Sequence, residues 1–92
     1  MAKQQFMALV EKMGGRDSFI DHINAALDDA GDTETPRLKE RSYFNWQNRA
    51  LPPSVQTIVL AGAAHAGIDA DEAVAILPDL APALAMARKV AA

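Results

Sequence analysis

The sequence contains no cysteine, which excludes a disulfide framework and any metal site built on thiolates. Aromatic residues make up only 5% of the chain while alanine is abundant, a composition that favours closely packed helices over a β-sandwich. No stretch approaches the ~20 apolar residues that span a bilayer, so we expect no membrane segment. The N-terminus also lacks the apolar core of a signal peptide. These absences predict a cytoplasmic protein.

Residues that carry chemistry are equally scarce. The two histidines, His22 and His65, lie far apart in the sequence and form no His-x-x-x-His pair. We therefore expect two ordinary surface or boundary residues and no metal site. The chain has no G-x-S-x-G elbow, no P-loop and no dinucleotide fingerprint. The sequence predicts neither an enzyme nor a cofactor.

The length and the apolar content set the size of the fold. The 92 residues, half of them hydrophobic, suit one globular domain over residues 1–92 and leave no room for a second core. A domain this small is marginally stable, because it buries a modest share of its surface. Association into a homodimer would add buried area.

Charge is distributed unevenly along the chain, whose formal net charge is −3. The segment 17–34 carries six acidic residues and no lysine or arginine, whereas 36–53 carries four basic residues and one acidic residue. The acidic total speaks against nucleic acid, but the local basic segment is compatible with DNA. The end of the acidic segment lacks the ligand spacing of a calcium loop, so we expect a solvated acidic loop there.

The apolar pattern predicts two helices in the first third of the chain. Apolar residues at helical spacing indicate the first, and Gly14-Gly15 ends it because glycine readily takes the left-handed conformation. The second is expected to open at Ser18, which has capping-box spacing to Asp21. It ends near Gly31.

Four further segments complete an all-α domain of five to six short helices. A third helix is predicted from Pro36 to about Asn48, with Thr35 as its N-cap. Leu51-Pro52-Pro53 interrupts the chain before a fourth helix. A short helix capped by Asp69 follows, and residues 79–92 form a C-terminal packing or dimerisation helix.

The order of these pieces resembles a known family. The matching pieces are Leu9 to Gly15, Ser18 to Leu27, Ser42 to Trp46, Leu51-Pro52-Pro53, Ile68-Asp69 and Leu77 to Leu80. In this order they resemble the Cro-like phage repressors, and most of all the YdaS-type regulators of the lambda-repressor-like DNA-binding superfamily. The resemblance covers roughly residues 6 to 80. One departure is the segment Asp28 to Thr35, which is longer than the usual turn of a helix-turn-helix.

This resemblance implies a helix-turn-helix whose third helix enters the major groove of double-stranded DNA. The tryptophan of such a helix fills the core, so Trp46 and Tyr43 are expected to be buried. The positions between them are candidates for base contacts, because arginine pairs with guanine and asparagine with adenine. They are Arg37, Glu40, Arg41, Phe44, Asn45 and Asn48. Lys39 and Arg49 are expected to contact phosphates.

Two functions remain open at this point. The first is a sequence-specific transcriptional regulator, a repressor of phage or mobile-element type, that binds DNA as a homodimer. The second is a protein-binding module on the same fold, antitoxin-like or DNA-mimicking, that acts through its acidic segment 17–34. A purely structural helical dimer is disfavoured, because it leaves the basic third helix unexplained.

Overall fold

The computed structural model describes residues 2–91 of the chain, and within that range it contains helices and no strand. The predicted all-helical class is therefore confirmed. In chain order the α-helices are α1 (Ala2–Lys12), α2 (Arg16–Asp29), α3 (Glu40–Asn48), α4 (Pro53–His65), α5 (Ala70–Ile76) and α6 (Ala81–Ala91). A 3₁₀ turn, Pro78–Leu80, precedes α6.

Helices α2 and α4 form the centre of the fold. Ile23 of α2 and Val59 of α4 are both fully buried, and Gly62 lets the two helices approach closely. The other helices cover this pair and supply most of the remaining core. Further large buried side chains are Phe6, Leu9 and Val10 of α1, and Leu77 and Leu80 beside and within the 3₁₀ turn.

The glycine pair after α1 ends that helix as predicted. Gly14 has φ 103°, and its N–H donates to the Glu11 carbonyl at 3.0 Å. The N–H of Gly15 donates to the Val10 carbonyl at 2.9 Å, which completes a Schellman motif. Gly15 is also the N-cap residue of α2, with φ 99° and ψ 179° and no side-chain hydrogen bond to the helix. The predicted start at Ser18 is wrong, because this glycine conformation allows α2 to begin at Arg16.

The predicted start of the third helix at Pro36 is also wrong, since α3 begins at Glu40. The hydroxyl of Thr35 donates to Asp32 at 2.5 Å and does not cap a helix. The Asn24 side chain binds both backbone groups of Leu38, accepting from its N–H at 2.7 Å and donating to its carbonyl at 3.1 Å. These contacts hold the chain extended up to Lys39.

The C-terminal helix packs back on the domain, which is one of the two expectations for residues 79–92. Leu80 and Ala83 are buried, and Arg88 donates to Asp71 of α5 at 2.5 Å. Met86 is 65% exposed, so one side of α6 stays accessible. Residue 92 lies outside the described range.

A Gly62→Ala substitution tests the close approach of α2 and α4. A Cβ at Gly62 would overlap Ile23 Cδ1 and lie 3.3 Å from Ile23 Cα, a backbone atom that cannot rotate away. Overpacking of this kind costs about 1–3 kcal/mol, whereas alanine is favoured over glycine by about 1 kcal/mol in a helix. We expect a net loss in the free energy of unfolding, measured in urea with Trp46 fluorescence.

The matched control is Ala61→Gly on the exposed side of α4, which reports helix propensity alone. It should lower stability by about 1 kcal/mol. If Gly62→Ala instead raises stability by that amount, the steric constraint between the two helices does not exist.

Candidate nucleic-acid interface

The inner face of α3 is locked into the core by two aromatic side chains. Tyr43 is 2% exposed, and its ring lies 5.8 Å from Phe6 and 5.9 Å from Phe19. Trp46 packs edge-on against Phe19 at 6.4 Å and is half-buried. Burial raises the pKa of the Tyr43 phenol, whose hydroxyl donates to the Met7 sulfur at 3.4 Å. The predicted core position of Tyr43 is confirmed, whereas Trp46 packs against the core and stays partly exposed; together they fix the rotation of α3 about its axis.

The outer face of α3 consists of side chains that the sequence predicted as base contacts. Four of the five lie on the side of α3 that faces away from Tyr43 and Trp46, because each turn of the helix takes 3.6 residues, and Glu40, three residues before Tyr43, lies at the edge of this face. They are exposed. They are Glu40, Arg41, Phe44, Asn45 and Asn48.

Arg41 and Asn45 occupy one side of this outer face. They are four residues apart, so their side chains are neighbours on the helix surface. Within residues 2–91, neither side chain forms a hydrogen bond or an ion pair. Both therefore present their full donor and acceptor sets to a ligand.

Two basic side chains flank α3. Lys39 is its N-cap residue and Arg49 its C-cap residue, and both are exposed. Over the described range, neither forms an ion pair with a carboxylate. The outer face is thus bordered by positive charge at both ends.

Two members of the predicted set are already engaged within the chain. Glu40 accepts from Arg16 Nη1 at 2.9 Å, which links the beginning of α3 to the beginning of α2. Asn48 donates through Nδ2 to the Phe44 carbonyl at 2.9 Å. These contacts order the outer face before any ligand binds.

Arg37 lies outside α3, in contrast to the prediction that grouped it with the exposed helical positions. Its Nε and Nη2 donate to Asp28 Oδ1 at 3.0 and 2.6 Å. The guanidinium also donates to the carbonyls of Asp32 and Thr35. Arg37 therefore holds the connection between α2 and α3 in place.

The acidic segment is more than a solvated loop. Asp32 Oδ1 accepts from the backbone N–H groups of Glu34 and Thr35, each at 2.9 Å. The hydrogen bonds from Thr35 are the main reason that the pKa of Asp32 lies below its ordinary value of 3.8. With Asp28 bound to Arg37, two carboxylates of this segment stabilise the connection between α2 and α3.

The two histidines meet in the folded chain, which the sequence did not predict. His22 Nδ1 and His65 Nδ1 lie 2.9 Å apart, which is hydrogen-bonding distance, so the two rings join α2 to α4. Asp29 lies 3.6 Å from the other ring nitrogen of His65. No group of three or more metal-ligating side chains occurs in the described part of the chain. Only the contact between α2 and α4 brings these rings together, and that contact leaves no local sequence signal.

Comparison with protein-family models, with curated proteins and with solved structures gives no match to this chain. Among the helices of residues 2–91, none has the length and apolar content needed to cross a membrane.

The charge of Asp32 predicts a specific pH dependence of stability. Because its pKa is lowered on folding, its contribution is fully present above the unfolded pKa of 3.8 and is lost as pH falls through the folded pKa. An Asp32→Asn variant keeps an acceptor for the same N–H groups and lacks this titration. We expect the variant to be less stable above about pH 5 and the difference from wild type to shrink below about pH 4.

Urea unfolding from pH 2 to pH 6 measures the difference in the free energy of unfolding between the variant and wild type. The contributions of the other carboxylates cancel in this difference, because both proteins contain them. A difference that stays constant down to pH 2 would show that the charge of Asp32 does not stabilise the connection.

Proposed function

We propose that the protein is a sequence-specific transcriptional regulator that inserts the outer face of α3 into the major groove of double-stranded DNA. A single observation carries the proposal. Arg41 and Asn45 stand side by side, without partners in residues 2–91, on a helix whose opposite face is buried. Arginine and asparagine make the most specific hydrogen-bonded contacts to guanine and adenine.

Rigidity of the reading helix supports this function. Tyr43 and Trp46 fix the rotation of α3, and the contact between Arg16 and Glu40 fixes its beginning. A preorganised helix loses little conformational entropy on binding, so its side chains discriminate between bases efficiently. Glu40 then positions the beginning of α3 through its bond to Arg16. It could accept a hydrogen bond from a cytosine amino group only after that bond breaks.

Affinity would come from the flanks of the helix. Lys39 and Arg49 are exposed at its two ends, where DNA phosphates line the groove. Such contacts release counterions and carry no sequence information. Arg37 is not assigned to DNA in this proposal, because Asp28 and two carbonyls occupy its donors.

The finer fold belongs to the same proposal. The proposal assigns α2 and α3 to a helix-turn-helix of lambda-repressor type with a long connection, which would give α3 its recognition role. A repressor of phage or mobile-element type fits this small helical domain. Regulators of this kind bind as dimers, and the exposed side of α6 around Met86 is the surface proposed for a homodimer.

The alternative is a protein-binding module that uses the acidic segment 17–34. The net charge of −3 favours it. Two observations weigh against it: Asp28 is bound to Arg37, and Asp32 is bound to the connection's own backbone. An electrophoretic shift assay with random genomic fragments at low salt separates the two functions, since only the DNA-binding regulator retards them.

Alanine substitutions on the outer face test the reading role. After a preferred site has been selected from a random DNA pool, Arg41→Ala and Asn45→Ala should each cost about 1–3 kcal/mol on that site and much less on random DNA. Arg88→Ala removes the same charge on α6 and should leave the discrimination unchanged. If both α3 variants discriminate like wild type, α3 does not read the bases.

Salt dependence tests the flanking contacts. Binding of wild type should weaken by orders of magnitude between low and moderate salt. Lys39→Ala and Arg49→Ala should weaken binding equally on all sequences and each reduce the salt slope by about 1. Lys3→Ala, at an exposed position of α1 outside both the α3 surface and the α6 surface proposed for the homodimer, is the matched control. An unchanged slope for both flanking variants would remove these residues from the phosphate contacts.

A further inference from the structure

Phe44 is an exposed aromatic residue on an otherwise polar surface. Its side chain is 47% exposed, whereas Phe6 and Phe19 are fully buried. In the described part of the chain, only Met86 is another large apolar side chain with comparable exposure. Phe44 lies midway along α3, on the side of the outer face where it lines a surface hollow with Met7 of α1 and with Gln47.

The position of this ring is fixed by the helix beneath it. Tyr43 fills the adjacent core and meets the Phe44 ring edge-on at 5.8 Å. Asn48 donates to the Phe44 carbonyl, which adds a bond to the helical turn. The ring therefore cannot turn into the core, because Tyr43 and Trp46 already occupy the inner face.

The neighbours of Phe44 favour DNA over a protein as its contact. An apolar anchor at a protein interface is normally surrounded by further apolar surface. Here the exposed neighbours along α3 are polar or charged, and Met7 of α1, which shares a surface hollow with Phe44, is partly buried. They are Glu40, Arg41, Asn45 and Asn48.

The major groove offers one apolar group, the C5-methyl of thymine, and phenylalanine is one of the side chains that contact it. We infer that Phe44 packs against a thymine methyl and makes the protein select thymine beside the bases that Arg41 and Asn45 contact. This inference rests on the proposed DNA-binding function. It adds an apolar specificity determinant to the hydrogen-bonding ones.

Deoxyuridine substitution tests the inference, because deoxyuridine lacks the methyl group and keeps the hydrogen-bonding edge of thymine. Each thymine of the selected site is replaced in turn, and binding is measured by fluorescence anisotropy. For wild type, one or two positions should weaken binding about three- to five-fold, the effect of one buried methyl group. At those positions Phe44→Ala should bind thymine and deoxyuridine DNA equally.

Phe44→Leu is the matched variant, since it keeps an apolar side chain and should retain part of the sensitivity to the methyl group. Unfolding curves of both variants serve as controls, and the exposure of Phe44 predicts little change in stability.

The outcomes separate the two claims. If wild type binds the selected site but no deoxyuridine position weakens it, the role of Phe44 is overturned and the DNA-binding function stands. If Phe44→Ala keeps the full methyl sensitivity, another side chain contacts the methyl group and the inference is wrong. If folded wild type retards no DNA at low salt, both claims fail, and Phe44 becomes the candidate anchor for a protein partner.

Discussion

The contact between Ile23 of α2 and Gly62 of α4 is the constraint on which the rest of the structure depends. Any side chain larger than hydrogen at residue 62 would overlap Ile23. This close approach sets α2 on α4, and the residues beside Ile23 then reach two other parts of the fold. His22 meets His65 of α4, and Asn24 binds the backbone of Leu38. One turn earlier, Phe19 supports both aromatic anchors of α3.

The position of α3 thus follows from α2, although the connection between them is long. A flexible connection of residues 30–39 would leave α3 dependent on its own packing alone. Instead the connection is bound at several points, through Asn24, Asp32 and Arg37. Each bond satisfies backbone groups that would otherwise need water. The extra length relative to a short helix-turn-helix turn therefore does not loosen the outer face of α3.

The parts of the fold that were predictable are those with local causes. Gly14-Gly15 ends α1 through hydrogen bonds to the last turn, and the periodicity of Tyr43 and Trp46 identifies the inner face of α3. The start of α3 was not predictable, since the bonds between Asn24 and Leu38 join residues far apart in the sequence. These bonds outweigh the local helix-start signal of Thr35 and Pro36.

The same distinction applies to the candidate site. Helical spacing was enough to place Arg41, Phe44 and Asn45 on the side away from Tyr43 and Trp46. All of these positions lie within a single helix, so their relative directions follow from its periodicity. Arg37 was grouped with them on the assumption that the helix began at Pro36. Because α3 begins at Glu40, Arg37 lies before the helix. Its guanidinium binds Asp28 and stabilises the connection between α2 and α3.

Internal ion pairs explain how an acidic chain can carry a basic surface around α3, the surface proposed to bind DNA. Four of the nine basic residues, Lys12, Arg16, Arg37 and Arg88, are paired with carboxylates of the described chain. Of the other five, Lys39, Arg41 and Arg49 lie on α3 or at its ends. The total charge counts every carboxylate, but a groove of DNA experiences the charges nearest to it, because salt screens exposed charges beyond roughly 10 Å. The net charge of the chain therefore does not predict the charge of this surface. That charge is determined by which lysines and arginines are paired with carboxylates in the fold and which are not.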